Sequence, residues 1–403
     1  MSEAADGGAL AVIVSPDPSS RSGGVERMCE LLADVLREDG WRVQIVGPGR
    51  DPSRWIYRVG AGPLAASLDA NRAARELSPR LVITNGMLGV GVPRDAAHIH
   101  VYHGTMVGNT LAEGSRLPWR ERWRRGVGAG LSEALSARGA TVVCVAEGAA
   151  REVRRFYRVR ADAVIPNGID SAIFRPAPRA QARRQLGLQE DERYCLFVGR
   201  MQYLKGADLL LGSARRGGYR LLVAGAGDCP GAIGLGILSP PQLALAYAAA
   251  DCVLFPSRYE ACSYVVLEAI ACGTPLLASR VGWIPTLLEA VPEYEPLCIE
   301  LDVEDIAARL GELAQRATPA VLERARDWVL EHNSLESFAR QWRALLAGRG
   351  LLARSARVAQ AGVDSEPEPD SGSDPDPGAE PPPVPGPDPL PEPPSAGGGE
   401  LAG

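Results

Sequence analysis

Two glutamates, Glu260 and Glu268, stand eight residues apart in the stretch RYEACSYVVLEAIACG, Arg258 to Gly273. The stretch follows the apolar run CVLF and a Pro-Ser turn, so it starts where a buried strand ends. Parallel α/β sheets bind ligands at that end of their strands. Ser263 is the expected N-cap of a helix from Tyr264 to Ala271. Free amides and the positive dipole end at Cys262, Ser263, Tyr264 and Val265 then face an anion such as a diphosphate. Glu268 falls about 7 Å along that helix from its start. The separation suits the two ends of a sugar–diphosphate–ribose, with Glu260 on sugar hydroxyls and Glu268 on ribose hydroxyls. Two solvated helix carboxylates are the alternative.

A second stretch, FVGRMQYLKG from Phe197 to Gly206, puts Arg200 and Lys205 just beyond another strand run. Two cations at one sheet edge could hold a diphosphate and neutralise a departing nucleoside diphosphate without a metal. Lys205 is the one lysine among 43 basic residues. A chain that uses arginine almost everywhere is expected to keep a lysine where a compact ammonium is needed and a planar guanidinium does not fit; chance survival of one lysine is the alternative.

These residues need strands to carry them. LAVIVS (Leu10–Ser15), a Ser/Gly loop (Ser19–Gly24), an amphipathic helix from Val25 to about Asp39 and RVQIVG (Arg42–Gly47) make a βαβ unit. Further strand runs are Arg80–Thr84, Ile99–His103, Thr141–Val145 and Ala163–Pro166. A second alternation begins at Tyr194–Gly199 and continues through Arg220–Ala224, Cys252–Phe255 and Pro275–Ala278. Such alternation predicts an α/β fold with parallel sheets covered on both faces. The boundary between two Rossmann-like domains is expected near Phe174. They span 9–173 and 174–350, and the helix Leu335–Leu346 is placed to pack back across the boundary.

The 403 residues suit two such domains. Residues 1–8 are expected to be disordered, as is the acidic, Pro-rich tail 355–403. From Asp364 to Gly403 there are ten acidic residues and no basic one, so the rest carries 43 basic against 39 acidic side chains. That body has no electrostatic footprint for nucleic acid. No apolar run reaches the ~18–20 residues of a membrane span, and Met1–Gly8 does not read as a signal peptide. Eight scattered cysteines match no metal-site spacing and point to reduced thiols in the cytoplasm.

Other features carry less. His98 and His100 read as sheet or core histidines rather than metal ligands. Gly225, Gly227 and Asp228 after a strand resemble a dinucleotide loop, but without the full glycine spacing. Trp119 and Trp123 lie among Arg116, Arg120, Arg122, Arg124 and Arg125. This cluster reads first as a structural helix face, and otherwise as a helix laid on anionic lipid or lining an acceptor cleft.

Together SGGVER (Ser22–Arg27), YHGT (Tyr102–Thr105), PNGID (Pro166–Asp170), FVGR…KG and the Glu260/Glu268 pair give the chain a clear resemblance. Over residues 10–345 it resembles the family-4 glycosyltransferases of the GT-B fold, with two Rossmann-like domains facing a cleft. The resemblance implies retaining, metal-independent transfer from a nucleoside-diphosphate sugar, with UDP as the expected nucleotide, and no cofactor. Arg200 and Lys205 would bind the diphosphate, Glu260 the donor sugar and Glu268 the ribose. Amides near Ser263, Tyr264 and Val265 would meet phosphate and sugar. Gly23 and Gly24 would let the first loop approach the donor, and His103 would hydrogen-bond the sugar near the reaction centre.

Two departures stand out. Ala261, Cys262 and Ser263 replace the family's usual Gly-Phe-Gly. The stretch Asp228–Leu238 lacks a helix usual before the base-binding loop, which leaves Ile237 and Leu238 for the nucleobase. The acceptor stays open among lipid, saccharide and small natural product, and so does a peripheral contact with the membrane. A nucleotide-sugar epimerase of the same architecture and a non-catalytic nucleotide-sugar scaffold are the alternatives.

Overall fold

The computed structural model describes residues 8–18, 23–48 and 62–351. The tail 355–403, residues 1–7 and Ser22 of the first-loop motif lie outside the described residues. Two parallel sheets form the framework. The first contains β1 (Leu10–Val14), β2 (Arg42–Val46), β3 (Leu81–Asn85), β4 (Ala97–Tyr102), β5 (Thr141–Cys144) and β6 (Ala163–Val164), in the order β2-β1-β3-β4-β5-β6. The second contains β7 (Tyr194–Val198), β8 (Arg220–Ala224), β9 (Ile233–Gly236), β10 (Cys252–Phe255) and β11 (Leu276–Ala278), in the order β11-β10-β7-β8-β9. Among the described residues, each strand pairing within them is parallel.

Central strands such as β3, β5 and β10 are buried at every position, whereas edge strand β2 is not. Continuous apolar runs are what a sheet covered on both faces demands. β9 has no counterpart in the sequence reading. Its sequence, IGLG, alternates glycine with Ile233 and Leu235 and has little strand propensity. Pairing with β8 at the sheet edge makes it a strand all the same.

In both sheets the strand order reverses once, between β1 and β3 in the first and between β7 and β10 in the second. Loops leaving those strands diverge and open a crevice, which is where such folds receive ligands. The glutamate stretch leaves β10 and the cation stretch leaves β7, so both reach one switch point.

The chain crosses between the sheets twice, and the two crossings are tied together. Ile169 N–H donates to Asn333 O (2.7 Å), Leu335 N–H to Ile169 O (3.1 Å) and Asn333 Nδ2 to Asn167 O (3.1 Å). After the second crossing, helix Leu335–Gly348 packs on helix Gly24–Glu38. There Arg343 bonds Asp39 (2.8 Å) and Glu38 (2.9 Å).

Candidate active site

The helix Tyr264–Ala271 is buried along its length except at Val265. Its first turn opens at the switch point of the second sheet. Ser263 holds the N-cap position in an extended conformation (φ −80°, ψ 130°) but makes no side-chain capping bond. The expected N-cap position is Ser263's, without the side-chain bond that usually goes with it. The extended φ is open to any residue, so serine in place of the family's glycine brings no backbone strain.

Lys205 ends a short 3-10 turn, Tyr203–Lys205, and Gly206 follows at φ +73°. A Cβ on Gly206 would lie 2.1 Å from Pro256 O. Glycine is what lets this turn lie directly against the loop leaving β10. Lys205 Nζ and Glu260 Oε1 form an ion pair, and Ser257 Oγ donates to the same oxygen at 3.2 Å. Glu260 is therefore not a free solvated carboxylate. Arg200 lies exposed just beyond β7. Gly225 supports that loop, since a Cβ there would meet Gly199 O at 2.2 Å.

Glu268 lies inside the helix and inside the protein. It is 1% exposed, its Oε1 is paired with Arg27 and its Oε2 accepts from Tyr247 OH at 2.8 Å. Glu268 is thus no solvated helix acid: both of its oxygens have partners inside the protein. Burial pushes its carboxyl up, and the Arg27 guanidinium opposes that shift. Arg27 also lies over the rings of Tyr264 (4.2 Å) and Phe174 (5.4 Å). It belongs to the first loop's SGGVER motif, where the sequence reading gave it no role. Spacing along the chain could not pair residues 241 apart.

The start of helix Gly24–Glu38 faces this region from the first sheet. A Cβ on Gly24 would meet the Tyr264 ring at 3.7 Å, an ordinary contact. One on Gly23 would meet only the flexible Glu26 side chain. Neither glycine has a positive φ. The surrounding protein thus does not itself require glycine there.

Burial pushes His103 down to about 4, and its Nε2 bonds Asn85 Oδ1 at 2.9 Å. Asn85 Nδ2 donates to Val14 O (2.9 Å), so one amide spans the first sheet's switch point and orients the imidazole. His98 and His100 share Thr84 Oγ1 at 2.8 and 2.7 Å, as sheet histidines do. Tyr259, next to Glu260, crosses to the YHGT loop. Its hydroxyl accepts from Thr105 N–H (2.6 Å) and donates to Glu152 Oε2 (2.7 Å). Cys262 is buried, and its carbonyl accepts from Asn167 Nδ2 at 2.6 Å. Ile237 and Leu238 leave the end of β9, Ile237 exposed and Leu238 half-buried.

The structure therefore gathers Gly24, Lys205, Glu260, Cys262–Val265 and Glu268 around the start of one helix. It adds Arg27, Tyr247 and Tyr259 to them. The first switch point carries His103 and Asn85.

Family models agree with this layout. The model described as "Glycosyltransferase Family 4" matches residues 22–172, and "Glycosyl transferases group 1" matches 192–316. The chain belongs to the GT-B glycosyltransferases that join these two domains. D-inositol 3-phosphate glycosyltransferase of Segniliparus rotundus is 40% identical over 145 residues, 30% of this chain and 32% of that one. The enzyme of that name from Mycolicibacterium smegmatis is 38% identical over 210 residues, 47% of each chain. The matches thus take in less than half the length of these curated relatives. Sucrose-phosphate synthase from Thermosynechococcus elongatus superposes with a TM-score of 0.70 at 22% identity, covering 84% of this chain and all of that one. Anabaena HepE in complex with UDP and glucose gives 0.61 at 16% identity, with the same coverage. At such identities the likeness is one of fold.

Proposed function

We propose that the chain moves a sugar from a nucleoside-diphosphate sugar, UDP-linked, to an acceptor hydroxyl, with retention of anomeric configuration and without a metal. The observation that carries this reading is the Lys205–Glu260 pair at the second switch point, beside the opening of helix Tyr264–Ala271. Each charge neutralises the other before donor arrives. On binding, Lys205 turns to the diphosphate with Arg200, and Glu260 is freed for the sugar hydroxyls. The amides of Ser263, Tyr264 and Val265 add to the anion site. Gly23 and Gly24 leave room for phosphate at the start of the opposite helix. Ile237 and Leu238 offer the base an apolar edge.

Glu268 reaches the ribose only if Arg27 gives it up, so Arg27 moves when the donor enters. In the reaction the acceptor oxygen bonds the anomeric carbon on the face the diphosphate leaves. The bond from that carbon to the diphosphate oxygen breaks, and the acceptor's proton passes to the leaving phosphate oxygen. Arg200 and Lys205 stabilise the charge that develops there. His103, kept neutral by burial, hydrogen-bonds the sugar beside the reacting carbon. The names of the relatives make D-inositol 3-phosphate the first acceptor to try.

The test is product analysis with UDP-glucose and UDP-N-acetylglucosamine against a panel of acceptors, D-inositol 3-phosphate included. UDP and an α-glycoside are expected, and transfer should survive EDTA. A β-glycoside overturns retention, and an absolute need for Mg²⁺ or Mn²⁺ overturns metal independence. A free epimerised sugar without glycoside identifies an epimerase. Donor binding without turnover on any acceptor identifies a scaffold.

A further inference from the structure

Eight large hydrophobic residues are exposed among the described residues, and five lie between Leu111 and Leu131. Leu111, Trp119, Trp123, Val127 and Leu131 are 59, 69, 65, 51 and 58% exposed. The last four recur every four residues. A four-residue row drifts about 40° around an α-helix at each step. Here the α-helical turn Trp119–Trp123 runs into a π-helical stretch, Arg124–Ala129, whose wider turns rotate less per residue. The opposite drift brings the row back, so the two tryptophans, Val127 and Leu131 stay on one outward ridge.

The C-terminal end of this segment is anchored. Gly130, Ser132, Glu133 and Ser136 are buried, Tyr102 OH donates to Glu133 O (2.6 Å) and Glu133 Oε2 accepts from Met106 N–H (2.8 Å). The ridge leads into that anchored end, and the tryptophans that the sequence reading gave first to a structural helix face stand exposed. Arginines accompany it. Between Glu113 and Arg125 five arginines face two glutamates. Glu121 pairs with Arg124 and Arg125, and Glu113 with Arg125. Arg120 and Arg122 are exposed and have no ion pair among the described residues.

We propose that this ridge docks on an anionic lipid surface. Tryptophans and aliphatic side chains enter the headgroup–acyl boundary while arginines meet lipid phosphates. A convex ridge with surplus cations suits a bilayer better than it suits the apolar core of a protein interface. The ridge is also tied to the site. Arg116, at its start, lies 3.8 Å over the Tyr203 ring, with Arg258 at 3.8 Å over the same ring. Tyr203 stands two residues before Lys205, and Arg258 two before Glu260. Docking would thus present the cleft to whatever the membrane carries.

The experiment is sedimentation of the purified full chain with vesicles of phosphatidylcholine alone or with about 30 mol% phosphatidylglycerol. Wild type should sediment with the anionic vesicles and be released by salt. Trp119→Ser/Trp123→Ser and Arg120→Glu/Arg122→Glu should each bind roughly tenfold more weakly. All four positions are exposed, and thermal melts check folding; if the tryptophan pair fails to fold, the arginine pair decides. No sedimentation of wild type, or binding that neither variant weakens, overturns the proposal. So does a wild-type dimer in sedimentation velocity that becomes a monomer in the tryptophan variant, because the ridge would then pair two copies. Sugar transfer is assayed separately, and its absence beside intact vesicle binding counts against the transferase reading alone.

Discussion

Glu260 and Glu268 lie eight residues apart on one segment, yet they find their cations in different halves of the molecule. Glu260 pairs with Lys205 of its own domain at the rim, with side chains 12% and 28% exposed. Glu268 pairs with Arg27 from the opposite sheet, and its side chain is 2% exposed. A rim pair exchanges partners cheaply, since water and incoming ligand replace what each ion loses. A buried pair holds its partners until both have somewhere else to go. The first is suited to chemistry and the second to holding the halves together.

The largest break in this comparison should come at Lys205. Lys205→Ala is expected to lower turnover on the order of 100- to 1000-fold while the melting temperature stays put. Lys205→Arg should also lose most activity, because the planar fork does not fit a compact point-charge site. Wild-type transfer by Lys205→Arg would remove the lysine from the mechanism.

A third carboxylate sharpens the contrast, because it is buried with no cation at all among the described residues. Burial raises Glu133 from 4.5 to about 7. Below pH 4.5 it is protonated in both folded and unfolded chains. As pH rises toward 7 the unfolded chain ionises first, so the fold loses stability, by up to about 3 kcal/mol. Glu133→Gln should lack that loss, and its advantage over wild type should grow between pH 4.5 and 7 in denaturant titrations. A constant difference would show that the carboxyl is not raised.

Arg27→Ala should cost about 2 kcal/mol, less than the ~3–5 of a fully buried pair, because Arg27 is partly exposed and Tyr247 still donates to Glu268. Adding Glu268→Gln should restore part of it, a coupling that denaturant unfolding can measure. Additive losses would mean the pair does not hold the halves together.

The smallest effect is expected at Tyr259. Tyr259→Phe leaves Thr105 N–H without its acceptor, costing about 1 kcal/mol. It should lower kcat a few-fold with KM for donor nearly unchanged, since Glu260 stays in place while the YHGT loop loosens. A rise in KM alone would place Tyr259 on the donor instead.

Most strands of both sheets were legible because buried parallel strands read as unbroken apolar runs, as in LAVIV and CVLF. The helix Tyr264–Ala271 was legible from the polar-to-apolar switch at Ser263. β9 was not, because two glycines in four residues carry no strand signal and only its neighbour makes it one. The partners of Glu268 were hidden for another reason. A residue's neighbours across a cleft depend on how two sheets meet, and nothing local to SGGVER or to the helix reports that. The exposure of the ridge at Trp119 was not legible, because arginine and tryptophan at helical spacing fit packed and bare faces equally well. Deciding between them took the π-helical stretch, which no spacing rule anticipates.

The return of helix Leu335–Gly348 to the first sheet's outer helix bears on how the chain acquires its structure. Asp39 and Arg343 meet across 304 residues. The first domain can form its sheet early in synthesis, but it waits for that helix until the entire second domain has been made. Long-range closure of this kind is slow, because the loop entropy is lost before the contact forms. In the interval, helix Gly24–Glu38 lacks the packing that helix Leu335–Gly348 later gives it. The nascent protein is then open to aggregation and to chaperone capture, although the finished molecule shows no trace of it.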